Sequence, residues 1–373
     1  MGDIKTHFRK VTDKRQKQGK RHKLIDIIAI AICGIICGAD DWVMIEQFGI
    51  GKEKWFRKFL ELPHGIPSHD TIGKVFSWID PEEFHSCFMD WVREIAVVTK
   101  GELIAIDGKT VRRSHDRTEG KKAIHIVSAW ASQNEMVIGQ KKVADKSNEI
   151  TAIPELLKML DISGCIVTID AIGTQKTIIN DILKKKADYL LAVKKNQGKL
   201  YEQVKHCFEV DQKNDFEDAP YDFARTVNKG HGRIETRKCW VVTDPDYLAY
   251  IDPEKKWQGL KSVAIIESVR KIGEASSSQT RYFISSLETT AKHMLKCIRG
   301  HWEVENKLHW NLDVSFREDE SRVRKGHAQE NLTIVRKLAL NLLRKNKSRK
   351  GGAKTKRLIC AIDTDFLLDV LNS

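Results

Sequence analysis

Apolar positions recur at helical spacing through roughly the first quarter of the chain. The run Leu24–Cys37 is apolar apart from one aspartate and predicts a buried helix, because it is too short to span a bilayer comfortably. Ser68 and Asp80 stand where N-cap residues are expected, each ahead of a further helical run. The pattern therefore predicts an all-helical region over residues 1–98.

Part of this region, from Ile66 to Trp91, has the outline of a helix-turn-helix: a short helix, a tight break and a second helix. Plain helical packing is the favoured interpretation, because aromatic residues at helical spacing are typical of a core. DNA binding by residues 1–98 remains an open alternative.

From Glu102 the pattern changes from helical spacing to short strand-like runs. Strands and helices are predicted in the order β-β-β-α-β-α-β, over residues 103–106, 122–132, 136–143, 149–160, 166–169, 177–186 and 189–193. Three strands followed by alternating helix and strand indicate an α/β fold, a mixed sheet with flanking helices. This is the order of an RNase H-like domain, and we expect residues 99–195 to form its first part.

The next segment, residues 196–287, does not continue the alternation of strand and helix. Its β-like runs predict a β-rich insertion, with strands over residues 222–227, 234–242, 262–270 and 280–285. Helical spacing returns at Thr289, so residues 288–345 are expected to hold the remainder of the core. Residues 346–373 are expected to form a basic C-terminal tail and a short helix.

The charge of the chain is its main compositional peculiarity. Lys and Arg number 64 and Asp and Glu 51, which leaves a net charge of +13 and a pI near 9.2. Such an excess favours polyanions, of which nucleic acid is the commonest large example, although a merely basic protein is the alternative. The segments Lys5–Lys23 and Arg344–Arg357 hold much of it and are typical of flexible basic arms.

The cysteine spacing argues against one class of protein. Eight are scattered without a CxxC pair, which makes a zinc knuckle unlikely on spacing grounds. With no secretory signal pattern at the N-terminus, we expect a reducing, cytoplasmic setting.

Three carboxylates are the candidate chemistry of the chain. Asp107 ends the apolar run that begins at Glu102, and Asp170 ends the run that begins at Cys165. In parallel neighbouring strands, both side chains would project at one edge of the sheet, where α/β sites form. The alternative is that each is only the polar residue that commonly ends a strand.

The third acid must come from a late helical stretch. The candidates are Glu303, Glu305, Asp313, Glu318 and Asp319. On a regular helix Glu305 lies on an apolar, inward face, whereas Glu303 forms a favourable surface pair with Lys307. Glu305 is therefore the predicted metal ligand, with a hydrogen bond to His301 or His309 as the alternative. Carboxylates are hard oxygen ligands of the kind that Mg²⁺ prefers.

Three stretches of the chain resemble one known family. Ile104–Thr110, Lys146–Leu157 and His301–Trp310 are similar to the DDE transposases of bacterial insertion sequences, in particular the H-repeat-associated group found beside Rhs elements. The resemblance covers nearly the whole chain. It implies an RNase H-like core in which Asp107, Asp170 and Glu305 are catalytic and bind two Mg²⁺ ions, with Mn²⁺ as a substitute.

The same resemblance implies the function. A DDE transposase cleaves DNA strands at the ends of its element and transfers them to a target, so the expected partner is double-stranded DNA, at the terminal repeats and at the target. Analogy with paired-end transposition implies a homodimer and no membrane partner. A cytoplasmic bacterial protein that associates with the nucleoid when it binds DNA is expected.

The glutamate helix departs from the broader family pattern. Related groups carry Tyr-x-x-Arg-x-x-x-Glu-x6-Lys, whereas the corresponding residues here are Ile298, His301, Glu305 and Leu312. Only the carboxylate matches, so phosphate contacts made by the other three cannot be transferred. Two alternatives follow: a decayed transposase that retains only DNA binding, and an RNase H-like nuclease without strand transfer.

Candidate phosphate contacts are spread over several segments, with a solvated basic face as the alternative for each. They are Lys109, Arg112, Arg113, Lys194, Lys195, His231, Arg233 and Arg237, together with His301 and His309 on the glutamate helix and the similar residues Arg322, Arg324 and Lys325.

Overall fold

The computed structural model describes residues 2–16, 20–116, 120–144, 147–214, 216, 220–230 and 232–373. Helices alone make up the first part of the described chain: α1 (Gly2–Phe8), α2 (Leu24–Ile36), α3 (Trp42–Gly51), α4 (Glu53–Phe56), α5 (His69–Trp78) and α6 (Pro81–Ile95). The predicted caps are present, since Ser68 accepts a hydrogen bond from the N–H of Thr71 and Asp80 accepts one from that of Glu82. The prediction of helices in this region is confirmed.

Helix α5 shows why plain packing is the better interpretation of the helix-turn-helix outline. It buries Ile72, Val75 and Phe76 and contacts α3 and a long helix near the C-terminus. Its apolar face is thus used inside the protein. Among the described residues, no helix combines the length and the apolar character that crossing a bilayer requires.

The central sheet has the predicted order of elements. They are β1 (Leu103–Thr110), β2 (His125–Ala131), β3 (Met136–Lys142), α7 (Glu149–Met159), β4 (Ile166–Ile169), α8 (Lys176–Lys184) and β5 (Asp188–Val193). The first three strands are antiparallel, and β4 and β5 run parallel to β1, in the spatial order β3-β2-β1-β4-β5. This is a mixed α/β sheet of RNase H-like topology, as predicted.

The segment predicted as β-rich contains the four predicted strands. Its elements are α9 (Gly198–Lys213), β6 (Tyr221–Gly230), β7 (Arg233–Val242), α10 (Pro245–Ile251), β8 (Ser262–Ile272) and β9 (Ala275–Ser285). Helix α9 was not predicted. Strand β9 pairs antiparallel with β5, so the insertion extends the central sheet to nine strands, continuing in the order β9-β8-β7-β6.

The chain after β9 is mainly helical, and one of its helices links the N-terminal region to the sheet. They are α11 (Ala291–His301), α12 (Trp310–Val314), α13 (Ala328–Lys345), α14 (Ala353–Ile362) and α15 (Thr364–Leu371). Helix α13 is buried along most of its length and contacts α2, α5, α6 and β3. The N-terminal helices and one edge of the sheet therefore share a single apolar core, which is continuous through α13.

The two basic segments are not free arms. Arg15 is buried and pairs with Asp13, and Lys14 pairs with Asp80 on α6. At the other end Arg357 is buried, and its guanidinium donates to the carbonyl of Ile35 at the end of α2. The prediction of flexible arms is therefore wrong for the described parts of these segments, because several of their cations bind carboxylates and helix-end carbonyls of the fold.

Candidate active site

The sheet brings Asp107 and Asp170 to one edge. Strands β1 and β4 are parallel neighbours in a register that pairs Ile106 with Ile169, and each aspartate is the next residue. One detail differs from the sequence prediction. Strand β1 continues to Thr110 because β2 goes on pairing with it, so Asp107 lies within the strand, opposite Ser128. Asp170 does end β4 and leads into a short 3-10 turn.

Glu305 reaches the same place by a route that the sequence did not predict. The helix leaves α-geometry after α11 and forms a π-helical turn over Val304–His309. Such turns are rare and often occur at functional sites. Glu305 is exposed rather than on a buried face, so the argument from a regular helix was wrong about its burial. The surface pair of Glu303 with Lys307 is present at 3.2 Å, as predicted.

The three carboxylates border one cavity of about 170 Å³. Its polar lining consists of Asp107, Asp170, Glu305, Thr168, His301, Lys194, Gln279 and Arg281. Trp302 and the apolar ends of β5 and β9 complete the wall. The cavity thus joins the edge of the core sheet, the π-helical turn and β9, the insertion strand that pairs with β5.

The acids of the cavity repel one another. Burial is the main reason that the pKa of Asp107 is raised to about 7. A hydrogen bond from the next residue's N–H opposes the shift, but repulsion from Glu149, Glu305 and Asp170 adds to it. Burial and the charge of Asp170 also raise the pKa of Glu305. Carboxylates that resist ionisation in this way would be stabilised by a cation placed between them.

Lys194 already places one positive charge in the cavity. Its Nζ lies 3.1 and 3.2 Å from the two carboxylate oxygens of Asp170. Burial disfavours ionisation of Asp170, but the Ala171 N–H and the Lys194 ammonium outweigh it and lower the pKa of this carboxyl. The side chains of the pair are 60% and 52% exposed. Exposed ion pairs contribute roughly 0–1 kcal/mol, so another cation can displace this one.

The two histidines of the glutamate helix contact residues of the core strands β4 and β1. His301 Nδ1 lies 3.0 Å from Thr168 Oγ1, and burial lowers the pKa of His301 to about 4. His309 Nδ1 lies 3.5 Å from Asp107, but burial lowers the pKa of His309 to about 3, so the contact involves a neutral ring. Neither histidine bonds Glu305 within the described part of the chain.

A further acid beside Asp107 was missed by the sequence prediction. Glu149, at the start of α7, is 2.7 Å from His125 Nε2 on β2. A Cβ at Gly108 would lie 2.2 Å from the Glu149 carboxylate, so only glycine permits this approach. Glu149 belongs to a stretch that carries the family resemblance, but nothing in its spacing assigned it a role.

Lys109 is enclosed by carboxylates instead of facing solvent. Its Nζ lies 2.7 Å from Asp313, 3.3 Å from Glu318 and 2.9 Å from Asp319. Burial opposes its charge, but these acids outweigh burial and raise its pKa. This arrangement does not favour Lys109 as a phosphate contact. Since Asp313, Glu318 and Asp319 bind Lys109, these three alternative acids are not available to the carboxylate cavity.

The other predicted phosphate contacts divide into exposed and paired cations. Arg112, Arg113 and Lys195 are exposed, although Arg112 also lies 3.2 Å from Asp319. Arg233 and Arg237 both pair with Glu235 on the strand that they share. His231 lies outside the described residues.

A preformed metal site is not present in the described residues: no three His, Cys, Asp or Glu side chains lie close enough to hold one ion as they stand. The donor chemistry nevertheless suits a hard divalent cation, since the carboxylates around the cavity supply oxygen ligands and two of them have raised pKa values. The acids therefore fit such an ion by type, and their side chains would have to close around it.

Comparison with known proteins identifies the class that this fold and site define. Residues 99–342 match the family described as "Transposase DDE domain", and residues 5–92 match the region described as "DDE_Tnp_1-associated". The chain belongs to the DDE transposase family.

Particular relatives extend over almost the entire chain. "Putative transposase YncI" of Escherichia coli O157:H7 is 45% identical over 368 residues, which cover 97% of this chain and 93% of the relative. "H repeat-associated putative transposase YhhI" of Escherichia coli K12 is 42% identical over 369 residues, 98% of this chain and 96% of the relative. The resemblance to the H-repeat-associated group is confirmed.

Among solved structures, the chain is similar to one from a cryo-EM study of a piggyBac transposase synaptic complex with hairpin DNA. The identity is 13% and the TM-score is 0.41, over 100% of this chain and 78% of the other.

Proposed function

We propose that this protein cleaves DNA strands at the ends of an insertion sequence and joins them to target DNA, with Asp107, Asp170 and Glu305 as its catalytic acids. The observation that carries this proposal is their meeting at one cavity from three distant parts of the chain. Membership of the DDE transposase family supports the class of reaction.

In the proposed mechanism the three acids hold divalent metal, Mg²⁺ or in its place Mn²⁺. The bound metal would activate the attacking hydroxyl and stabilise the leaving oxygen of the phosphodiester. The carboxylates themselves do not attack. Asp107 must lose its proton to serve as a ligand, and its raised pKa makes this step dependent on pH near neutrality.

The chain's own cations would hold the DNA. If Asp170 held the metal, its exposed pair with Lys194 would be broken, and the Lys194 ammonium would be free to contact a phosphate oxygen at the mouth of the cavity. Arg281 on β9 is not paired with an acid within the described residues, and it borders the same cavity. These two would replace the family's tyrosine, arginine and lysine, since Ile298 and Leu312 are buried here.

A second candidate is DNA binding without cleavage. It is favoured by one observation, the absence of a ready metal cluster among the described acids. A nuclease without strand transfer would cleave the DNA in the same way as the proposed transposase but would not join the cut strand to target DNA.

The experiment uses DNA carrying the sequences that flank the reading frame, with Mg²⁺ or Mn²⁺. Alanine in place of Asp107, Asp170 or Glu305 should reduce strand cleavage at least about a thousandfold while DNA binding persists, because transition-state charge loses its metal. Glu303→Ala is the matched control. It removes an acid two residues away that pairs with Lys307, and it should cleave normally.

Each outcome separates the candidates. Cleavage by wild type followed by joining of the cut 3′ end supports a transposase, and cleavage without joining supports a nuclease. Binding without any cleavage by wild type supports the second candidate. Full cleavage by any of the three alanine variants contradicts the assignment of the acids.

A further inference from the structure

The insertion presents one face of its sheet that is only partly covered. Helix α11 packs Met294, Leu295 and Ile298 against the inner half of strands β7, β8 and β9. Beyond the end of this helix the strands continue with exposed residues. A groove of about 800 Å³ lies between the uncovered half and the end of α11.

The groove is strongly basic. Five arginines border it: Arg233, Arg237, Arg270, Arg281 and Arg299. The acids in its wall are Glu235 and Glu305. The strand register places Arg270 directly across from Glu235 on β7 and from Ser277 on β9, so these side chains share one face of the sheet.

Three of the arginines have no acidic partner among the residues that the structure describes. Arg233 and Arg237 are paired with Glu235, whereas Arg270, Arg281 and Arg299 form no ion pair with any described residue. The Arg281 Nε atom is buried and lacks a hydrogen-bond partner in the same part of the chain. A buried donor without a partner is costly, so this guanidinium is suited to an anion that the protein itself does not supply.

The groove is continuous with the carboxylate cavity. Arg281, Trp302 and Glu305 border both. The Arg281 guanidinium lies over the Trp302 ring at 5.4 Å from its centroid, a cation–π contact that favours this position at the junction. The cations therefore begin beside the catalytic acids and extend along the outer sheet.

We propose that Arg281, Arg299 and Arg270 form a phosphate track, a binding site for the sugar-phosphate backbone of the DNA strand that leads away from the cleaved bond. The choice of DNA as the polyanion rests on the proposed function. Guanidinium groups suit this role because they bind phosphate oxygens in a bidentate manner and stay charged. The serines beside them can add hydroxyl contacts.

The first test compares two neighbouring cations on the same strand. Arg270→Gln removes a charge on the groove face of β8, and Lys271→Gln removes one on the opposite face. Both are exposed, so both variants should keep the wild-type melting temperature. Affinity for a fluorescein-labelled 30-base-pair duplex is measured by anisotropy at several salt concentrations.

The expected result is a change in the salt dependence. Arg270→Gln should lower the slope of log Kd against log salt by about 0.9, and the variant with all three arginines changed to Gln should lower it by about 2.7. Lys271→Gln should leave the slope unchanged. Equal effects of Arg270→Gln and Lys271→Gln would overturn the track, because they would indicate only the protein's general charge.

A cross-linking experiment tests independently which face of the sheet the DNA contacts. Ser277→Cys lies on the groove face of β9 and Ser276→Cys on the other face, and both positions are exposed. The native cysteines are buried or half-buried, so an azidophenacyl group attaches selectively to the new thiol. On illumination Ser277→Cys should cross-link to DNA and Ser276→Cys should not. The reverse pattern, or equal cross-linking, contradicts the proposal.

The two proposals fail in different ways. If wild type binds DNA and cleaves it but neither comparison shows a preference for the groove face, only the track is overturned. If wild type shows no salt-dependent DNA binding, the track and the proposed function are both wrong.

Discussion

Asp107 and Asp170 have the same side chain and neighbouring positions at one sheet edge, yet their pKa values move in opposite directions. Asp107 is buried within a strand beside other acids, and its side chain is only 23% exposed. Asp170 follows its strand, is half exposed and has Lys194 as a partner. The position of each residue relative to the strand end therefore decides how it ionises.

This difference predicts that the same substitution stabilises the protein at Asp107 and does not stabilise it at Asp170. A pKa raised from 3.8 to about 7 means that the unfolded chain loses its proton first, so the folding stability due to Asp107 falls as the pH rises from about 4 to 7. The cost of ionisation above pH 7 is about 4 kcal/mol at most. Without metal, Asp107→Asn should therefore raise the melting temperature at pH 8, by an amount that shrinks towards pH 4.

Asp170→Asn is the matched control for that measurement. Its pKa is lowered, so removing its charge should not stabilise the protein, and its exposed pair with Lys194 contributes little either way. Added Mg²⁺ should raise the melting temperature of wild type and of neither variant. Equal stabilisation by both asparagines at pH 8 would contradict the assignment of the shift to Asp107.

Helix α14 shows how an element can mislead when only its composition is considered. Its Lys and Arg residues are typical of a solvated arm, but Arg357 is buried. It donates to the carbonyls of Ile35 and Ser315 and to the carboxylate of Asp40, and it stacks over Phe316. One guanidinium thus joins the ends of three helical segments to α14.

We expect Arg357→Ala to be strongly destabilising. It would remove a donor from two carbonyls and the cation that pairs with the half-buried Asp40, and breaking a buried pair in this way costs roughly 3–5 kcal/mol. Lys354→Ala, on the exposed side of the same helix, should change the free energy of unfolding by less than about 0.5 kcal/mol. Urea unfolding followed by circular dichroism measures both. A similar small loss in the two variants would show that α14 docks without its arginine.

Much of this architecture could be predicted from the sequence, because hydrophobic spacing identifies the elements of a core. The core strands and the insertion strands were found, and so were the caps at Ser68 and Asp80. The extension of β1 past Asp107 could not be predicted, since polar residues stay in a strand only when a neighbour pairs with them. The π-helical turn at Glu305 could not be predicted either, because the spacing of apolar residues does not distinguish such a turn from a regular α-helix.

The site was predicted less completely for a similar reason. Strand ends and helix faces indicated the three acids, but which cation meets which carboxylate depends on contacts between distant segments. Lys109 follows Asp107 in the sequence and is held by acids more than 200 residues later. Arg281 gave no sequence signal, because an arginine on an amphipathic strand is usually only a surface residue.

For the whole molecule, α13 determines how independent the N-terminal helices are. Asn331 on α13 donates its side-chain amide to the carbonyls of Phe76 and Ile79 at the end of α5. Asn341, further along, bonds the backbone of Val137 on β3. A single buried helix therefore bonds the N-terminal region at one point and the sheet at another.

This arrangement predicts that residues 1–98 do not unfold separately. Tryptophan fluorescence and circular dichroism should give one coincident transition, and limited proteolysis should not release a stable catalytic fragment beginning near residue 99. Removing residues 1–98 would expose the apolar side of α13, so the truncated chain should aggregate. Accumulation of a soluble, folded fragment over residues 99–373 would contradict the shared core.

The nine-stranded sheet has a mechanical consequence. The backbone bonds between β5 and β9, which pair Val193 with Tyr282, join the sheet edge that carries the candidate acids to the outer strands without a linker. Lys194 directly follows Val193 in the chain and Arg281 directly precedes Tyr282, so the two cations flank the last pair of this ladder. A displacement of the outer strands would be transmitted to these residues through the hydrogen bonds of one sheet, so the insertion would act as a lever on the proposed site.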